Sequence, residues 1–180
     1  MTETKEPMTK SFDARHLRDV MGNFPTSVVA VTTLGPEQEP VGMVVGSFTS
    51  VSLDPPLVSF LVDRSSSTLP KIIAAQRFCA NALASDQERL CRQMATRGAQ
   101  RFDGVAWETS PAENPILDGV VAWVDCAIDK VVELGDHFLV VGLVRDLGVA
   151  STMTPLLFFR GGYGDYKSTA HHMLDDLHGW

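Results

Sequence analysis

The chain predicts a mainly β fold, an antiparallel barrel with a few peripheral helices, and three observations lead there. About six or seven segments are rich in β-branched residues, whereas few show apolar residues at helical spacing. Most of these segments are joined by short Gly-, Pro- and Asp-rich turns, as hairpins are, and not by the long helical crossovers that parallel strands need. No Gly-x-Gly-x-x-Gly stands between a strand and a helix, and no phosphate loop ends in Gly-Lys-Ser or Gly-Lys-Thr, so a doubly wound nucleotide fold has no signature here.

From the N-terminus, Phe12, Leu17, Val20, Met21 and Phe24 fall on one helical face; Ser11 or Asp13 can cap its start and Gly22-Asn-Phe-Pro25 stops it. Thr26 to Leu34 reads as a strand, Gly35 to Pro40 as a turn and Val41 to Val45 as the return strand. A run of small hydroxyl residues then stops at Pro55 and Pro56, which lack a ladder donor and fix φ, before Leu57 to Val62 resumes as a strand. Thr68-Leu-Pro70 opens a short helix through Ala75, with Pro70 in the first turn, where its missing N–H is tolerated. Arg77 to Leu83 is a strand, and Ser85 or Asp86 caps a helix bearing Leu90, Cys91 and Met94. Arg97 to Pro115 reads as a loop holding Phe102 and Trp107, long enough to be functional. Val120 to Val132 and His137 to Val149 form the clearest hairpin, joined by Glu133-Leu-Gly-Asp136. Leu156 to Phe159 is the last strand, Gly161-Gly-Tyr-Gly164 reads as a turn, and Asp165 to Trp180 is a polar tail, either a short helix or disordered.

A length of 180 residues with 44% hydrophobic content suits one domain with a full core. We delimit it as residues 12–166, between a flexible segment 1–11 and a tail 167–180. The formal charge of −7, with no Lys/Arg cluster to relieve it, opposes nucleic acid or an anionic membrane as partner but leaves room for a small phosphorylated ligand. The polar start Met1 to Lys10 is not a signal peptide and no apolar run spans a bilayer, so a cytoplasmic protein is expected. Cys79, Cys91 and Cys126 are odd in number and set among apolar residues, as buried reduced thiols are.

Two segments have the composition of a site. In the first, Gly42 and Gly46 remove side chains where a flat ligand could approach the backbone, and Ser47, Thr49, Ser50 and Ser52 offer short donors and acceptors. In the second, Asp63-Arg64-Ser-Ser-Ser-Thr68 precedes a helix start, as an anion site with Arg64 supplying the charge or as a solvated, well-capped loop. His137 stands at a hairpin tip, exposed and aimed by the turn. The other histidines, His16, His171, His172 and His178, form no ligand pair on regular structure, so no metal is expected. A Gly-x-Ser-x-Gly elbow for hydrolysis is missing too.

Five motifs in one order, Phe24-Pro-Thr-Ser-Val-Val-Ala-Val-Thr-Thr33, Gly42-Met43, Ser47 to Leu57, Gly135-Asp-His137 and Pro155 to Tyr163, resemble the flavin reductase components of two-component flavin-dependent monooxygenases. The resemblance spans roughly residues 12–166. It implies the FMN-binding type of split β-barrel, usually a homodimer, and an enzyme that moves hydride from NADH, in preference to NADPH, to FAD or FMN. Reduced flavin would then diffuse to a separate monooxygenase. Carried over by position, it implies that Met43, Val44, Val45, Gly46, Ser47, Phe48, Thr49 and Ser50 line the flavin ring and ribityl chain, with Thr26 and Ser27 close by. Ser65, Ser66, Ser67 and Thr68 would take flavin phosphate, and Asn81 and Phe102 would flank the flavin. His137, oriented by Asp136, would act with Arg160, Gly161, Gly162 and Tyr163 on the nicotinamide nucleotide. The chain departs from the pattern at Ser27, Val44 and Gly46, where many relatives carry Gly, Thr and Asn, so contacts there are expected to come from the backbone and FAD is not separated from FMN. The rival readings are a split-barrel oxidase that retains its flavin and a flavin-binding carrier or sensor without activity.

Overall fold

The structure, a computed structural model, describes residues 13–96 and 98–168. Segment 1–11, Ser11 and Phe12 of the first helix, and tail residues 169–180 with His171, His172 and His178 lie outside the described residues.

The first helix, α1 (Ala14–Met21), is capped by Asp13, whose carboxylate accepts from the Arg15 N–H at 3.1 Å. No residue of α1 is buried, and its apolar face with Phe24 beyond it stands exposed. There follow β1 (Thr26–Ser27), β2 (Val29–Leu34), β3 (Pro40–Val45), β4 (Thr49–Leu53), β5 (Pro56–Asp63), α2 (Leu69–Ala75), β6 (Arg77–Ala82) and α3 (Glu88–Ala95). A 3-10 turn at Ala99–Phe102 leads to β7 (Trp107–Thr109) and β8 (Pro115–Leu117), then the long pair β9 (Ala122–Leu134) and β10 (His137–Val149), and last β11 (Leu156–Phe159) and β12 (Gly162–Asp165).

Seven strands form one antiparallel sheet in the order β3-β2-β6-β9-β10-β5-β4. Its two edges, β3 and β4, are separated in the chain by only Gly46, Ser47 and Phe48, which at full stretch span about 10 Å. The sheet must therefore curl until its edges approach. Ser47 ties the seam, its hydroxyl accepting from the Leu61 N–H at 2.9 Å and donating to the Leu61 carbonyl at 3.3 Å. The antiparallel β class expected from strand count is the one observed. A three-stranded sheet β1-β11-β12 and the hairpin β7-β8 lie outside it.

The core divides as the strand period demands. Val29 and Val31 of β2 and Phe78 and Ala80 of β6 join Phe60, Val62 and Val140 in one cluster. Their alternating neighbours Val28, Ala30 and Cys79 pack with Leu83, Met94, Leu117 and Leu156 in a second. Phe60 and Phe78 meet edge to face at 5.1 Å. Both faces of the central strands are thus covered, by the curl on one side and by α3 and the small sheets on the other.

Several boundaries differ from expectation for local reasons. Thr49–Leu53 is a strand, because the turn at Asp54-Pro55 folds these β-compatible residues back on β5. Gly162–Asp165 is a strand and not a turn: Arg160 and Gly161 both take positive φ, 49° and 80°, which closes a two-residue hairpin. The long loop contains the β7-β8 hairpin. α3 starts after Gln87, not at Ser85 or Asp86; the Gln87 side chain accepts from the Ala84 N–H at 2.9 Å and donates to the Asp118 carbonyl at 2.7 Å. The turn after β9 shrinks to Gly135-Asp136, since Leu134 and His137 already pair.

Candidate functional site

β3 is a sheet edge. Its ladder with β2 occupies one side, so alternate backbone N–H and C=O groups on the other side have no strand to meet. Three adjoining cavities follow this strand. The first, of about 610 Å³, is lined by Val41, Gly42, Ser67, Thr68, Lys71 and Arg101 among others. The second, of about 440 Å³, shares Ser67, Thr68 and Arg101 with the first and adds Met43, Val44 and Met94. The third, of about 230 Å³, shares Val44 with the second and reaches Thr26, Ser27, Gly46, Cys91 and Tyr163. α3 supplies the opposite wall through Cys91, Met94 and Ala95.

Arg101 organises the junction of the first two cavities. Its guanidinium donates to the Thr96 carbonyl at 2.6 Å, the Gly42 carbonyl on the open edge of β3 at 2.8 Å, and the Thr68 hydroxyl at 2.7 Å. Three elements are held by one side chain, and the cation is fixed where the cavities meet. Gly42 makes room for this: a Cβ there would stand 2.9 Å from the Met94 methyl and 3.0 Å from the Phe102 ring. Gly46 likewise admits Thr26, whose hydroxyl would lie 2.8 Å from an added Cβ. The two glycines thus bring protein elements against β3, a role the sequence reading assigned to a ligand's approach.

The loop before α2 is arranged otherwise than expected. The Asp63 carboxylate accepts from both the N–H and the hydroxyl of Ser65, at 2.7 and 2.6 Å, and those bonds hold it below the usual carboxylate range. The Ser66 hydroxyl accepts from the N–H groups of Thr68 and Leu69. Ser65 and Ser66 line the second cavity but are engaged within the loop, while Ser67 and Thr68 face both the first and the second cavity. Arg64 does not supply charge to this loop. It turns to the β9-β10 tip, pairing with Glu133 at 2.6 Å, donating to the Gly135 carbonyl and lying over the Phe138 ring. Among the described residues the cations at the cavities are Arg101 and Lys71, which sequence reasoning missed. The adjacent Phe102 was the available signal for Arg101, but only folding brings position 101 across to Thr68.

Asn81 does not flank a ligand. It is fully buried, its amide donating to the Ala30 carbonyl, the Thr32 hydroxyl and the Pro115 carbonyl, and its oxygen accepting from the Leu117 N–H at 2.9 Å. It ties β6 to β2 and β8 and has no polar atom left for a ligand. Of the run 43–50, Met43, Val44, Val45 and Gly46 line the cavities just described. Ser47 is engaged at the seam, Phe48 packs on the core, and Thr49 and Ser50 lie on β4 at the opposite edge. Phe102 lines the first cavity.

The expected nicotinamide residues are divided between two places. His137 begins β10, pairs across the ladder with Asp63 and meets the Asp136 carboxylate at 2.7 Å, a contact that holds Asp136 below the usual carboxylate range. Tyr163 lies on β12, edge to face with Phe158 at 5.2 Å, beneath the Arg92 guanidinium at 4.8 Å, with its hydroxyl 3.2 Å from Cys91 Sγ. Gly162 and Tyr163 also line an outer groove with Pro25 and Leu157. Arg160 is bonded to Asn23 at 2.8 Å and lies over Phe159, and Gly161 closes its hairpin.

An edge whose backbone groups meet no further strand, apolar walls from Met43, Val44 and Met94, hydroxyls at Ser67 and Thr68 and a fixed cation fit a flat, phosphorylated heterocycle such as a flavin. The family model described as flavin reductase like domain matches residues 21–167. The chain belongs to this family. It is 47% identical over 169 residues to a flavin reductase of Pseudomonas putida, covering 93% of this chain and 99% of that one. Nitrilotriacetate monooxygenase component B from Mycobacterium thermoresistibile superposes with a TM-score of 0.83 at 37% identity, covering 92% of this chain and 95% of its own. The NADH:FAD oxidoreductase of Streptomyces globisporus, solved in complex with NAD and FAD fragments, does so with a TM-score of 0.82 at 35% identity, covering 88% and 95%. The flavin reductase like fold thus extends over nearly all of the described residues, and the cavities along β3 lie within the matched region.

Proposed function

We propose that this chain is an NADH-dependent flavin reductase that binds FAD or FMN along β3, passes hydride to it from NADH, and releases the reduced flavin to a separate flavin-dependent monooxygenase. The open edge of β3, with its contiguous cavities and anchored cation, carries this reading. A bound flavin supplies the hydride acceptor. The protein positions: β3 backbone groups meet the polar rim of the ring, Met43, Val44 and Met94 exclude water from its faces, and Arg101 with Thr68 holds a phosphate. Thr26, Gly46 and Tyr163 surround the end of the track where a nicotinamide would stack, and His137 clamps the nucleotide from the hairpin tip. No residue here need act as a nucleophile or obligatory acid, consistent with thiols that are all buried.

A homodimer in the cytoplasm completes the proposal. The exposed apolar face of α1, together with Leu53, Leu147 and Val149 on the main sheet, is surface that a second copy would cover. Among the described residues no helix is long and apolar enough to cross a membrane.

The deciding experiment follows NADH absorbance under air with purified protein, with and without FAD or FMN, and with NADPH as competitor. Saturable oxidation that requires added flavin is expected. Activity without added flavin would point to an oxidase that retains it, and flavin binding without oxidation to a carrier or sensor.

A further inference from the structure

We infer that this chain selects FAD over FMN, and that Lys71 with the first cavity forms the subsite for the adenylate half. The inference rests on the proposed flavin site and adds the part of the substrate that site prefers. If the ring lies along Met43 to Gly46 in the second and third cavities, the first phosphate arrives at Ser67, Thr68 and Arg101, the residues shared by the first and second cavities. FMN ends there. The track does not: beyond Arg101 it continues into the largest of the three cavities, about 610 Å³, a size typical of a small-molecule site.

The chemistry of that cavity suits a second phosphate and a nucleoside. Lys71 lines it, exposed, and among the described residues its ammonium has no hydrogen-bond or ion-pair partner. The bonds of Arg101 engage Nε and Nη1, leaving Nη2 without a partner among the described residues. Two cations thus stand in sequence along the track, as a diphosphate requires, where a monophosphate needs only the first. The cavity also holds two carboxylates. Glu39 is turned onto its own hairpin turn, accepting from the Glu37 N–H at 3.0 Å, which leaves Asp103 to accept from ribose hydroxyls or an exocyclic amine. Phe102 and Val41 provide apolar surface for a base.

The test is equilibrium binding of FAD, FMN and riboflavin to the full chain, read by flavin fluorescence, with ADP as competitor. FAD should bind about tenfold or more tightly than FMN, the gain expected of one added charge-assisted contact. ADP should displace FAD and leave riboflavin bound. Lys71→Glu, a change on an exposed helix position that should leave the circular dichroism spectrum intact, should weaken FAD about tenfold and leave FMN within about twofold. Equal affinity for FAD and FMN, or a Lys71→Glu protein that keeps its FAD affinity, would overturn the inference while leaving the reductase standing. Failure to bind any of the three flavins would overturn both.

Discussion

His137 is half-buried and bonded to Asp136, with enough of its ring in solvent to hold a nucleotide without being essential to the core. His137→Ala should raise the KM for NADH about five- to tenfold, the worth of one hydrogen bond, with kcat little changed. Steady-state kinetics that match the parent protein would remove His137 from the site. The thiols make a separate prediction. Burial pushes Cys126 up to about 12 and raises Cys79 as well. The folded state therefore keeps protons that the unfolded chain gives up near the ordinary thiol range, so this contribution to stability is complete below about pH 8.5 and is lost as pH rises towards 12. Melting temperature should fall through that window, and native protein at pH 8 should resist thiol alkylation until it unfolds. Bonding to Cys91 pushes Tyr163 up to about 12, and in a Tyr166→Phe protein, where Tyr163 is the remaining tyrosine, a tyrosinate absorbance step well below that pH would break the link drawn between β12 and α3.

Between elements, buried polar groups carry the registration that the site depends on. Asp125 of β9 is fully buried and accepts from the Ser110 hydroxyl, from the Asn114 amide at 2.6 Å and from the Ala112 N–H at 3.2 Å, fastening the β7-β8 turn to the main sheet. The Asn114 oxygen in turn accepts from Thr33 at 3.2 Å. Asp125→Ala would strand three donors in the interior and should cost about 3 kcal/mol or more, read as a lower urea midpoint at unchanged slope. A loss under about 1 kcal/mol would mean that water reaches the cage. Asn81, which the resemblance set beside the flavin, is used up in the same way as Asp125: folding engages every polar atom of both side chains. Arg64 and Arg101 show the same limit from the opposite direction. Sequence adjacency placed Arg64 at the serine loop, whereas packing sends it to the hairpin tip and brings Arg101 from a distant segment.

For the whole molecule, the unburied faces predict assembly. Leu17, Val20, Met21 and Phe24 line one face of α1 and its exit, and Leu53 and Val149 are 79% and 83% exposed. Sedimentation velocity should give twice the 19.6 kDa of one chain; the mass of a single chain would leave these faces without the proposed partner. What the sequence by itself determined was what local physics can write: period-two patterning, turn residues and proline stops defined the strands and the antiparallel class, and ordered motifs defined the family. Only the tertiary structure decided which donors stay free. Curling the sheet leaves β3 as an open edge and consumes Ser47 at the seam, while Asp63 engages Ser65 and the core engages Asn81. A side chain's availability depends on neighbours remote in the chain, and a spacing pattern does not contain them.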